Sequence, residues 1–72
     1  MFEEEFLKLG HKIKYERSKR KISQLQLSLK TGLTTRTISR MECGNIDVKY
    51  STLLKVAKAM GITLSTLMDF QL

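Results

Sequence analysis

Two arginines stand four residues apart in a segment rich in hydroxyls: Thr35, Arg36, Ser39 and Arg40. At helical spacing these four fall on one side, while Ile38 and Met41 fall on the other. Guanidinium and hydroxyl groups presented together suit the edges of bases in a major groove, where the fork of an arginine matches guanine. Gln24 and Thr34 stand at expected helix starts, where outward backbone N–H groups suit phosphate. Thr37, within the first turn of the same helix, and Asn45 and Lys49, in the loop after it, extend the phosphate-facing set. Each has a plainer reading beside this one. The arginines would be solvated charges, the threonines cap supports, and Asn45 and Lys49 ordinary turn residues.

No other chemistry competes. No nucleophile is paired with a base, and there is no phosphate-binding loop, so no catalytic residue is assigned and an enzyme is excluded. His11 has no second ligand with metal spacing, so no metal is expected, and nothing implies a cofactor. Cys43 is the single cysteine and reads as an inert thiol, which fits a reducing cytoplasm and, for a DNA partner, the nucleoid. The opening Met-Phe-Glu-Glu-Glu is acidic where a signal peptide is basic. No apolar run approaches the roughly 18 residues of a membrane span, so no membrane partner is expected.

The charge pattern points the same way. The 72 residues carry 13 Lys and Arg against 7 Asp and Glu, a net +6. Residues 1–7 hold −3, residues 8–40 hold +9 and residues 41–72 balance to zero. A basic middle of this kind suits a polyanion such as double-stranded DNA.

Five helices must position these groups, because apolar spacings of three and four recur and strict alternation is nowhere sustained. The first runs from about Glu3 to Arg20, with Phe6, Leu9, Ile13 and Arg17 on one face and acids and bases at the ends the macrodipole favours. Ser23 and Gln26 make a capping box for the second, which Gly32 ends. Thr34 caps the third, which runs to about Glu42. A fourth begins near Ser51, turning Leu53, Leu54, Val56, Ala57 and Met60 inward, with Tyr50 also in the core. Thr63 caps a short fifth. Residues 1–72 are read as a single domain, with a helix-turn-helix over about 24–43. In that unit Leu27 faces the core, Gly32 makes the turn and Leu33 fills the crevice behind it. Glu42 would sit unfavourably at a helix C-terminus without a cation, and Arg17 on the apolar face of the first helix is that cation, so the two are read as a structural ion pair.

Four segments in order resemble the Xre/Cro family of helix-turn-helix domains, which includes lambdoid phage repressors. They are Leu9-Gly10-x-x-Ile13-x-x-x-Arg17, Ile22-Ser23-Gln24-x-x-Leu27, Thr34-x-x-x-Ile38-Ser39-x-x-Glu42-x-Gly44 and Leu53-Leu54-x-Val56-Ala57-Lys58-Ala59-Met60-Gly61-Ile62. The resemblance spans Leu9 to Leu67. It implies an all-α, compact five-helix fold of the lambda-repressor type and a DNA-binding transcriptional regulator that is commonly a homodimer. It also implies that Gln24 bonds a phosphate, that Thr35, Arg36 and Arg40 reach bases, and that Arg17 pairs with Glu42. The chain departs from the family at several points. Ser28 and Thr31 replace apolar residues and should thin the core beneath the turn. Lys21 stands where glycine is common, which calls for a left-handed backbone at a residue with a Cβ.

Apolar surface suggests partners. Leu64, Leu67, Met68, Phe70 and Leu72 form an apolar C-terminal segment, read as a dimer interface; the plainer reading packs it on Phe2 and Phe6 of the same chain. With helices over about 51–70 pairing two copies, the expectation is a homodimeric repressor or controller reading a palindromic operator. A phage-type repressor, a restriction–modification controller and an antitoxin all fit. Leu25 and Leu29 stand where the family is usually polar and offer the alternative of an interaction module docking a protein. A basic helix over residues 8–21 lying on a membrane surface is the weakest reading, because its apolar stripe is committed to the core.

Overall fold

Capping decides where the helices begin. The computed structural model describes residues 2–70, and the helices are α1 Glu3–Lys19, α2 Gln24–Thr31, α3 Thr35–Glu42, α4 Tyr50–Ala59 and α5 Leu64–Leu67. Ser23 Oγ accepts the Gln26 N–H at 3.0 Å while Gln26 Oε1 accepts the Ser23 N–H at 2.8 Å, which satisfies two donors reciprocally. Thr34 and Thr63 cap α3 and α5 without that reciprocal bond, each hydroxyl accepting an N–H three residues on at 3.1 Å. α1 has no side-chain cap; Glu3, Glu4 and Glu5 in its first turn face the positive end of the macrodipole. Between α1 and α2 the chain turns at Lys21 with φ 57°, a left-handed residue bearing a Cβ.

One core holds the helices together. Leu9 and Ile13 of α1, Leu27 of α2, Ile38 and Met41 of α3, Leu53, Val56 and Ala57 of α4, Met60 and Leu67 form a continuous buried cluster. α1 packs on α3 and α5, α2 on α3 and α4, and α4 on α5. Among the described residues there is no strand, and no helix is long and apolar enough to cross a membrane.

The α1–α3 contact is backbone on helix. A Cβ at Gly10 would collide with the Met41 carbonyl oxygen and lie 2.7 Å from that of Glu42. A Cβ at Gly44, where φ is 72°, would lie 2.7 Å from the Leu7 Cα. Glycine at position 10 therefore sets the distance between α1 and the end of α3.

Several expectations are corrected. Leu67 is fully buried, filling the core of its own chain, so it has no surface to offer a second copy. Leu64 and Phe70 lie half-buried against that same core, and Leu72 lies outside the described residues. Tyr50 is 67% exposed and Leu54 43% exposed, because the inward stripe of α4 is Leu53, Val56 and Ala57 alone. Nor do Ser28 and Thr31 merely thin the core. Ser28 Oγ donates to the Leu33 carbonyl, and Thr31 Oγ1 donates to the Leu27 carbonyl at 2.8 Å while accepting the Leu33 N–H at 3.2 Å. The two hydroxyls bind the turn between α2 and α3 to α2.

Glu16 is almost wholly buried, yet it is paired twice: with Lys12 Nζ of α1 at 2.8 Å and with Nη1 of Arg20, the residue that ends α1, at 2.5 Å. The Lys12 hydrogen bond first, and the Arg20 hydrogen bond after it, hold its carboxyl below the ordinary range. A carboxyl held down in the folded state contributes stability above its unfolded pKa, and that contribution disappears as pH falls through the folded value. Urea denaturation from pH 7 down to pH 3 should accordingly show stability falling at the acid end, with a shallower fall in Glu16→Gln. Gly10→Ala should destabilise the fold by about 1–3 kcal/mol through overpacking, read as a lowered melting temperature.

Candidate nucleic-acid interface

The site begins with the orientation of α3. Ile38 and Met41 are buried, and this turns Thr35, Arg36 and Arg40 to solvent, with Ser39 and Thr37 half-exposed at the flanks. Arg36 and Arg40 have no ion pair or hydrogen bond among the described residues, so both guanidinium groups are open to a ligand. At the start of the helix, Thr34 is used up as a cap. Its oxygen accepts the Thr37 N–H, and its hydroxyl donates to Thr37 Oγ1 at 3.0 Å. The Thr37 hydroxyl keeps its own proton for a phosphate, while Thr34 offers little beyond the helix start it creates.

The loop after α3 stays close to that helix. The Asn45 N–H donates to the Arg40 carbonyl at 2.9 Å, leaving the Asn45 side chain exposed beside the C-terminal end of α3. Lys49 is exposed at the N-cap of α4 and carries no ion pair among the described residues.

Behind the surface lies a buried polar cluster. Arg17 grips Glu42 with two bonds, Nε to Oε2 at 2.6 Å and Nη2 to Oε1 at 3.0 Å. Its remaining Nη1 donates to the Ile22 carbonyl at 2.8 Å, just past the left-handed turn at Lys21. Gln24 Nε2 donates to the same Glu42 Oε1 at 3.1 Å. One carboxylate at the end of α3 therefore joins α1, the turn at Ile22 and the first residue of α2. Every buried side-chain nitrogen and oxygen among the described residues has a partner.

Sequence reasoning places Gln24 at the helix start but misses its bond to Glu42, which no spacing rule foretells across 18 residues. It also misses the burial of Glu16, although Lys12, Glu16 and Arg20 at four-residue steps are a legible ladder. The turn bonds of the Ser28 and Thr31 hydroxyls likewise lie outside what apolar patterning registers. Beyond the site, Leu25 and Leu29 project from α2 at 60% and 77% exposure.

A family model described as Helix-turn-helix matches residues 13–67, from the second half of α1 through α5. The chain belongs to the Xre/Cro-type helix-turn-helix family. Among solved structures, this helix-turn-helix protein is similar to the restriction-modification controller protein C.AhdI from Aeromonas hydrophila. The TM-score is 0.87 at 26% identity, over 89% of this chain and 97% of that one. No curated protein matches the sequence. This member of the family is a DNA-binding transcriptional regulator and not an enzyme.

The buried pair yields a stability prediction. Arg17→Met leaves Glu42 buried without its cation and should cost roughly 3–5 kcal/mol, much of the stability of so small a domain. Adding Glu42→Leu should recover most of that loss in urea denaturation, because the uncompensated charge is then gone.

Proposed function

We propose that the protein is a homodimeric, sequence-specific regulator that lays α3 of each subunit in the major groove of a palindromic operator. The observation that carries this reading is the pair of unpartnered arginines, Arg36 and Arg40, held outward by the burial of Ile38 and Met41. Thr35, Arg36, Ser39 and Arg40 would touch bases. Gln24, Thr37, Asn45 and Lys49 would touch phosphates, with Thr34 serving chiefly as the cap. Two half-sites about 34–36 Å apart would match the twofold axis of the dimer.

For the second copy we favour the apolar groove bounded by Phe6, Leu9, Val48, Leu53, Met68 and Phe70, about 300 Å³ in volume. Met68 is exposed at its edge and Phe70 half-exposed, whereas Leu67 is withdrawn into the core. The resemblance to C.AhdI supports the controller role over the phage-type repressor and the antitoxin. A cytoplasmic location, where the DNA is, suits the exposed thiol of Cys43. A second reading, docking of a protein partner, is favoured by Leu25 and Leu29, two exposed leucines one turn apart on α2.

The test is titration of a matched and a scrambled operator, with the mass of the free protein measured in parallel. Arg40→Ala should cost about 1–3 kcal/mol on the matched duplex and relax the preference at one base pair, whereas Lys49→Ala should weaken both duplexes alike. Equal affinity of the wild type for the two duplexes would remove the claim of sequence readout, and a monomeric mass at working concentration would remove the dimer. Stoichiometric co-purification of a second protein, lost in Leu29→Ser, would shift the balance to the docking reading.

A further inference from the structure

We infer that Glu42 is a positioning residue for DNA binding: through Gln24, and without touching DNA itself, it fixes which end of the Gln24 amide meets the phosphate. The inference rests on the reading of Gln24 as a phosphate contact.

A glutamine amide is ambivalent. Its nitrogen donates and its oxygen accepts, so only one of its two orientations suits a phosphate, which offers acceptors alone. In a free side chain the two orientations interconvert, and half of the encounters would present oxygen to oxygen. Here the choice is made in advance. The Glu42 carboxylate, paired with Arg17, is an acceptor and lies 3.1 Å from Gln24 Nε2. Turning the amide over would set its oxygen against a carboxylate that is 5% exposed, a repulsion that water does not relieve.

The nitrogen carries two protons, and Glu42 takes one. The other stays on the same nitrogen, at the start of α2, beside the backbone N–H groups of Gln24 and Leu25, which have no acceptor within the helix. A side-chain donor and two backbone donors are thus gathered at one helix end.

Glu42 is itself immobile. Arg17 binds both of its oxygens and balances its charge, so the carboxylate can hold Gln24 without repelling a nearby phosphate. Because Glu42 also ends α3, the same group fixes the phosphate anchor on α2 relative to the helix that displays Arg36 and Arg40. Backbone anchoring and base reading are thereby set in one frame.

A double-mutant cycle between Gln24→Ala and Glu42→Gln tests this on the matched duplex, with the melting temperature of each variant measured. In the wild-type background Gln24→Ala should weaken binding about tenfold, the scale of a hydrogen bond to a charged group. In the Glu42→Gln background, where the amide is no longer oriented, the same change should cost less than about threefold. Equal losses in both backgrounds, or no loss in the first, would overturn the proposal. Should Glu42→Gln fail to fold, the side-chain amide resonances of Gln24 in the unaltered protein decide the matter. One Nε2 proton should be protected from exchange in free protein, and the other should shift when the duplex is added. Two equally unprotected protons would overturn it. If the wild type binds matched and scrambled duplexes alike, the operator reading itself fails; if specific binding persists while the cycle is additive, only the role of Glu42 fails.

Discussion

Everything in the working half of this protein is referred to one carboxylate. Glu42 ends α3, where the macrodipole alone would disfavour a negative charge, and it is buried, where desolvation would disfavour it further. Arg17 resolves both conflicts with a bidentate grip, and its third bond, to the Ile22 carbonyl, fastens the entry to α2. An apolar pair of similar volume would hold α1 and α3 together as well. It would not fix an angle. A guanidinium fork has a required geometry, so the pair specifies how α3 leaves the core as well as that it stays attached.

The surface follows from that interior. With Ile38 and Met41 buried and Glu42 held, the roll of the helix is set, and Arg36 and Arg40 are left without partners among the described residues. The same segment of sequence places a cap at Thr34 and passes the free hydroxyl proton to Thr37. Some of the other basic residues are managed differently. Lys12 and Arg20 neutralise a buried Glu16, and Lys8 pairs with Glu4 at 3.5 Å. These three cations thus serve the fold, whereas Arg36 and Arg40 on α3 are kept available.

Local signals made the helices legible. The capping box at Ser23, the threonine caps at 34 and 63, and the left-handed Gly32 each lie within four residues of what they control, so the sequence alone locates them. The roll of α3 was legible for a related reason: a period of 3.6 with two large apolar residues leaves little choice. What escaped was long-range or depended on depth. Tyr50 and Leu54 look apolar enough for the core, but the residues of α4 that are buried are Leu53, Val56 and Ala57. Leu67 reads from the sequence as a dimer contact, yet the short helix capped by Thr63 turns it fully into the core of its own chain. The bond between Gln24 and Glu42 joins two residues brought together only by the assembled fold. Ser28 and Thr31 show a further limit, since hydroxyls that look like lost packing prove to be the ties of a turn.

Gly10 carries a mechanical consequence. With no side chain between them, the first helix and the end of the third meet backbone to backbone, leaving no compressible layer that could absorb a tilt. The reading head is in effect welded to its strut. On the proposed reading, with α3 in the major groove, differences between one operator sequence and another would have to be accommodated by the duplex, through its own bending and groove width, and the stiffness of the DNA would become part of what is recognised.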